Sequence, residues 1–192
     1  YKIDEGGGAF YGPKIDLKIE DAIGRMWQCS TIQLDFNLPE RFALEYVAAD
    51  GSRQRPIMIH RAIFGSLERF FGIMTENYAG DYPFWLAPEQ VRLLPVTDEV
   101  QPYAEQLLDQ LTQAGVRATI DRSGDRLGKL IRTGEQMKIP VLAVIGAKEA
   151  EQNAVSLRSR RDGDLGVTTV ADLLNAAQTA NSQRAAGLEL NR

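Results

Sequence analysis

Three stretches of the chain gather side chains suited to binding and polarising a small charged molecule. Gly6-Gly7-Gly8-Ala9-Phe10-Tyr11-Gly12-Pro13-Lys14 sets flexible backbone beside a polar aromatic and a cation, which suits close approach to a ligand and equally suits a tight turn. Trp27-Gln28-Cys29-Ser30-Thr31-Ile32-Gln33-Leu34-Asp35-Phe36 interleaves polar and apolar residues. Strict alternation predicts Gln28, Ser30 and Leu34 on one face and Cys29, Thr31, Gln33 and Asp35 on the other. Polar groups in so apolar a strand either meet water or line a pocket. In the third stretch, Pro56 to Gly72, His60 ends a strand and Arg69 sits between Leu67 and Phe70 on an aromatic helix. A guanidinium stays charged, so Arg69 calls for an anionic partner, either a ligand or a structural carboxylate. A lone histidine such as His60 reads, on its own, as a packing residue.

The elements that must carry these residues follow from periodicity. Ile15, Leu17 and Ile19 alternate with Lys14, Asp16, Lys18 and Glu20, the pattern of a half-buried strand. Arg25–Phe36, Leu44–Ala48 and Pro56–His60 read as three more strands, the last two flanking the turn Ala49-Asp50-Gly51-Ser52, so an antiparallel meander is expected. Phe64, Leu67, Phe70, Phe71 and Met74 fall at helical spacing, predicting a helix from about Gly65 to Tyr78.

After the proline-rich 81–88 stretch the pattern changes to alternating strands and helices. Val91–Val96, Val116–Ile120 and the continuous apolar run Val141–Ile145 read as strands, with helices around Leu107 and Leu130 between them, a βαβαβ core. Ala154–Arg160 reads as a more exposed strand; Thr169 and Asp172 open a final helix through Ala177, and a frayed tail follows Ala180. The expected domains are 1–88, 89–180 and a tail at 181–192.

Composition narrows the class without naming a function. The chain has 192 residues, 44% hydrophobic, with a net charge of -4, which argues against binding nucleic acid through bulk positive charge. No apolar run reaches the roughly 20 residues of a membrane span, so no membrane partner is expected. The single Cys29 excludes an internal disulfide framework and fits a reducing, cytoplasmic setting. The single His60 excludes a multi-histidine metal cage within this chain. The chain opens on Tyr1 with a strand-like alternation, which reads as a fragment of a longer protein.

The segments "AFYGPKID", "WQC-x-TIQLDF", "LPERF", "HRA-x-FGSLERF" and "WLAP" resemble the threonyl-tRNA synthetase family in order and spacing. The resemblance implies the C-terminal part of a class II catalytic domain, built on an antiparallel sheet and including motif 3, followed by an α/β anticodon-binding domain with a mixed sheet. It implies ATP-dependent activation of threonine to threonyl-adenylate and transfer to tRNA(Thr), with Mg2+ accompanying ATP and a homodimer as the full-length form. Arg69 then matches the motif 3 arginine that binds the ATP phosphates. His60 matches one of three protein ligands to a zinc ion that holds the threonine amino and hydroxyl groups; the other two lie upstream in the family. Tyr11, Lys14, Gln28, Thr31, Gln33 and Ser66 match the lining of the threonyl-adenylate site, and Cys29 matches a cysteine near the threonine pocket that is not a metal ligand. Ser30 stands where the family commonly has glycine, a departure tolerated if its side chain faces away.

In the second domain "GxKExE" stands as Gly146-Ala147-Lys148-Glu149-Ala150-Glu151, and the basic strand as Leu157-Arg158-Ser159-Arg160-Arg161. By resemblance Glu149 and Arg158 contact anticodon bases; taken alone, 158–161 also reads as a solvated edge strand. Gly124 replaces an asparagine used in anticodon reading, a departure that bears on tRNA selectivity. These residues alone are expected not to aminoacylate tRNA. The competing readings are a noncatalytic paralogue serving as an RNA- or protein-binding module, and another class II synthetase such as the prolyl or glycyl enzyme.

Overall fold

The computed structural model describes residues 1–190, which divide into two compact units, Tyr1–Asn77 and the chain from Tyr78 onward.

In the first unit, β1 (Lys14–Glu20), β2 (Met26–Asp35) and β5 (Met58–Ala62) form an antiparallel sheet in the order β1-β2-β5. The expected four-strand meander is not formed. The middle pair is instead a separate ribbon of two residues each, β3 (Tyr46–Val47) and β4 (Arg53–Gln54), closed by a turn in which Gly51 takes a positive φ of 81°. The run before it contributes a helix that periodicity does not reveal, α1 (Asn37–Arg41), too short to show a repeat. Asp35 Oδ1 accepts the Asn37 and Leu38 amides at 2.8 and 3.0 Å, satisfying donors at the start of this helix.

One irregularity resets the faces of β2. Leu17 pairs with Ser30 but Lys18 pairs with Gln28, so Cys29 is an extra residue in β2, a β-bulge. Strict alternation separated Gln28 from Thr31; the bulge returns both to one face, where Gln28 Nε2 donates to Thr31 Oγ1 at 2.8 Å. Ile15, Leu17 and Ile19 lie on the opposite face and are 64%, 51% and 38% exposed, so the expected half-buried strand has no cover among the described residues.

α2 (Leu67–Tyr78) begins at Ser66, whose carbonyl accepts the Phe70 amide at 3.0 Å and whose hydroxyl accepts the Arg69 amide at 3.3 Å. Gly65 immediately precedes it with φ +71°, and a Cβ there would come within 2.8 Å of the Cys29 carbonyl oxygen. Only glycine allows that approach.

The second unit contains β6 (Val91–Pro95), α3 (Gln101–Gln113), β7 (Ala118–Ile120), α4 (Leu127–Gln136), β8 (Val141–Ile145), α5 (Ala147–Glu151), β9 (Ala154–Ser159), β10 (Gly163–Thr169) and α6 (Val170–Gln183). Its sheet runs β7-β6-β8-β9-β10, with β6 parallel to β7 and β8, and β9 antiparallel to both its neighbours. The βαβαβ reading holds, and the apolar run 141–145 occupies the middle of the sheet. Because β10 pairs along β9, Arg158 sits on an inner strand and not on an edge.

Phe84, Leu93, Leu107, Leu111, Ile145, Leu157 and Leu173 are fully buried around this sheet. Thr169 Oγ1 accepts the Asp172 amide at 3.1 Å, the N-cap expected from the sequence, but α6 continues past Ala177 to Gln183. The described part of the tail, up to residue 190, is packed rather than frayed: Leu188 is buried, and the Phe84 amide donates to the Ala186 carbonyl at 2.9 Å. Alanines at 176, 177 and 180 fit the buried side of α6.

Candidate functional site

The β1-β2-β5 register aligns a polar row across three strands. Gln33 pairs with Lys14 on one side and His60 on the other, and directly paired residues share a face. Thr31 and Asp35 lie two positions from Gln33 on that same face, and Asp16 lies two from Lys14. At one end of the row, Phe10, Tyr11, Gln33, Asp35, Asn37, Leu38 and His60 line a cavity of about 350 Å³.

Four of the side chains around the cavity, Tyr11, Gln33, Asp35 and His60, are held by one another. Tyr11 donates its hydroxyl proton to Gln33 Oε1 at 3.0 Å, and its ring meets that of His60 edge-on, centroids 6.0 Å apart. Its carbonyl accepts the Phe36 amide at 3.1 Å, and a Cβ on the neighbouring Gly12 would overlap the Leu34 carbonyl oxygen. Glycine at 12 therefore lets the Tyr11 loop lie against β2.

His60 Nε2 and Asp35 Oδ2 are 2.8 Å apart, and the Asp35 side chain is 2% exposed. Burial pushes the Asp35 carboxyl up, but hydrogen bonds from His60 and from the Leu38 and Asn37 amides outweigh it, and the net shift is downward. An ionised carboxylate accepts only, so neutral His60 carries its proton on Nε2 and keeps a lone pair on Nδ1. That is the donor a metal requires, in the arrangement by which a carboxylate fixes a ligating imidazole. Among the described residues no group of three His, Cys, Asp or Glu side chains is placed to hold a metal.

Further along the row, Asp16 gathers three of the polar groups. It pairs with Lys14 Nζ at 2.9 Å and accepts from Gln28 Nε2 at 2.7 Å and Thr31 Oγ1 at 2.8 Å. The hydrogen bond to Lys14 is the main reason the Asp16 carboxyl titrates low, against a smaller opposing effect of burial. Asp16 was not picked out from the sequence, although its place two residues after Lys14 on an alternating strand puts it on the polar face.

Arg69 is exposed, and among the described residues no carboxylate pairs with it, so the structural carboxylate that would have satisfied it is not there. Its guanidinium carbon lies 5.2 Å from the centroid of the Trp27 ring. Ser66 also donates to Glu68 Oε2 at 2.6 Å. Cys29 is buried, and the Ser30 hydroxyl donates to the Ile63 carbonyl, tying β2 to the segment after β5. The structure thus gathers Tyr11, Gln33 and His60 at the cavity and Lys14, Gln28 and Thr31 beside it, while Arg69 meets Trp27.

In the second unit Glu149 spends its carboxylate internally, accepting from the Gly146 amide at 3.0 Å and the Ser156 hydroxyl at 2.9 Å. The Ser156 bond leads the effects that hold its carboxyl below the ordinary range. Arg158 lies 3.8 Å from Asp164, and its buried Nε has no hydrogen-bond partner among the described residues.

The antiparallel sheet with its polar row and the mixed-sheet unit that follows it in sequence each match a family model of class II aminoacyl-tRNA synthetases. Residues 2–78 match the family model described as tRNA synthetase class II core domain (G, H, P, S and T), and residues 90–179 match that of the anticodon binding domain. The chain is 94% identical over its whole length to a threonine–tRNA ligase of Synechococcus sp. (strain CC9605), spanning 31% of that protein, and 61% identical over 96% of its length to one from Synechococcus elongatus, spanning 30%. A crystal structure described as the RNA binding domain of threonyl-tRNA synthetase from Cryptosporidium parvum Iowa II superposes with a TM-score of 0.82 at 36% identity, covering 96% of this chain and 45% of that one. The chain belongs to the threonyl-tRNA synthetase family, and it spans about a third of the length of these relatives.

Proposed function

We propose that this chain supplies, within a cytoplasmic threonine–tRNA ligase, one wall of the adenylate-forming site and the unit that reads the tRNA anticodon. The observation that supports this best is the row Lys14, Gln33 and His60 on three adjacent strands, ending in the cavity bounded by Tyr11 and Asp35.

In the reaction a threonine carboxylate oxygen attacks the α-phosphorus of ATP, the bond to the bridging oxygen breaks, and pyrophosphate leaves with Mg2+. A hydroxyl oxygen of the terminal adenosine of tRNA(Thr) then attacks the threonyl carbonyl carbon, the acyl–phosphate bond breaks, AMP leaves and the hydroxyl proton is released. Arg69 binds the phosphates and offsets charge that builds during attack, the kind of contact worth about 10²–10³ in rate. Tyr11 and Gln33, locked to each other, orient the amino acid, and Gln28, Thr31, Cys29 and Ser66 shape the rest of the site. Lys14 is already paired with Asp16, so it acts within that network.

His60 would hold zinc through Nδ1, with two ligands from the remainder of the protein. Zinc, when bound, supplies Lewis-acid contact to the threonine amino and hydroxyl groups. A site that satisfies a hydroxyl rejects isosteric valine, which leaves that polar demand unmet, but discriminates less against serine. The exposed Ile15, Leu17 and Ile19 face is covered in the full-length homodimeric enzyme by chain outside these residues. In the second unit, Arg158 and Glu149 face splayed anticodon bases, the kind of single-stranded target read by base edges and stacking.

The test is threonine-dependent exchange of pyrophosphate into ATP by the full-length protein, with serine and valine as competing substrates. Exchange should be strong with threonine, weak with serine and absent with valine, and His60→Ala should abolish it with loss of bound zinc. A folded, zinc-loaded protein that showed no threonine-dependent exchange would overturn the reading.

A further inference from the structure

Arg69 has an aromatic partner where the sequence called for an anion. Its guanidinium carbon is 5.2 Å from the Trp27 ring centroid, and that of Arg25 is 5.4 Å from the same ring. Trp27 is itself fixed, since its indole Nε1 donates to Asp21 Oδ2 at 2.8 Å. The Asp21 side chain is fully buried; its Oδ1 accepts the Ile23 and Arg25 amides at 3.1 and 2.8 Å, and its Oδ2 also takes Arg25 Nε at 2.5 Å. Around it the backbone closes a tight turn between β1 and β2, with Asp21 donating its amide to the Arg25 carbonyl at 2.9 Å. From a buried carboxylate to the first turn of α2, the contacts run from Asp21 through Trp27 to Arg69.

The chemistry of the partner matters. A carboxylate would occupy two of the guanidinium N–H groups and cancel its charge. An aromatic face holds the cation through the ring quadrupole and leaves the in-plane N–H fork free. A phosphate needs both the charge and the fork.

We propose that Trp27, oriented by Asp21, is the positioning residue for Arg69, holding its guanidinium ready for the ATP phosphates without competing for them. This rests on the reading of Arg69 as the ATP-binding arginine.

The test is a double-mutant cycle in the full-length protein, read by pyrophosphate exchange with ATP and threonine varied separately. Trp27→Leu keeps bulk but removes the aromatic face; it should raise the KM for ATP about 3- to 10-fold and leave the KM for threonine unchanged. Trp27→Phe should restore most of the loss. In an Arg69→Ala background, Trp27→Leu should add nothing further to the ATP defect, because the group it positions is gone. Should Trp27→Leu misfold, Asp21→Asn takes its place in the cycle, with a smaller rise in the ATP KM expected and the same absence of additivity. Additive defects, or equal effects on ATP and threonine, would overturn the positioning role while leaving Arg69 in place. An Arg69→Ala protein with unchanged use of ATP would remove the reading of Arg69, and the proposal with it.

Discussion

The two units of this chain solve opposite problems with similar materials. The unit from Tyr78 onward closes a hydrophobic core around a five-stranded sheet, with Leu93, Leu157 and Leu173 fully buried between strands and helices. The unit 1–77 buries little: Cys29, Pro39 and Ile73 are the buried apolar side chains before Tyr78 among the described residues, while Ile15, Leu17, Ile57 and Ile59 are exposed. What it has instead is order among polar groups, with Asp16, Asp21 and Asp35 each gathering several donors. The difference teaches that polar groups can be locally prearranged by hydrogen bonds in a layer whose apolar side chains stay exposed among the described residues.

The largest expected effect sharpens that contrast through stability. Leu157→Ala should destabilise the second unit by about 2–5 kcal/mol, since it removes a fully buried side chain from a packed core. Leu17→Ala, half-exposed, should cost under about 0.5 kcal/mol in the same 192-residue chain. Urea denaturation of both variants checks the pair; equal losses would mean that the first unit has a core of its own.

A smaller effect concerns pH. The folded Asp35 carboxyl lies below its ordinary value, so its contribution is present above the unfolded carboxylate pKa of about 3.9 and is lost as pH falls through the depressed folded value. An NMR titration of that carboxyl should show a midpoint below the ordinary one, and Asp35→Asn should remove this part of the acid dependence of stability. A midpoint at or above the ordinary value would show that the His60 and amide bonds do not hold the carboxylate in solution.

Much of this was legible in the sequence because side-chain period reports local geometry. The continuous apolar run 141–145 announced a central strand, and Thr169 with Asp172 announced a capped helix. Tyr11, Gln33 and His60 could be named from their motifs, and the register brings them together. What could not be read depended on single extra residues or on distant partners. The bulge at Cys29 inverts the face of Gln28 with no compositional mark, and α1 is too short to show a period. Leu67 and Phe71 fall at helical spacing yet are exposed, so an apolar pattern did not mean burial in this unit. The contact between Arg69 and Trp27 joins residues far apart in sequence, and only the folded chain reveals it.

The proposed division of labour puts chemistry in the first unit and tRNA reading in the second. In the full-length protein, Arg69→Ala and Arg158→Ala should be compared for pyrophosphate exchange and for tRNA(Thr) affinity side by side. Arg69→Ala should lower exchange by about 10²–10³ with tRNA affinity unchanged, whereas Arg158→Ala should weaken tRNA binding about tenfold with exchange intact. If either variant lost both properties while remaining folded, or if Arg158→Ala left tRNA binding untouched, the division would be contradicted.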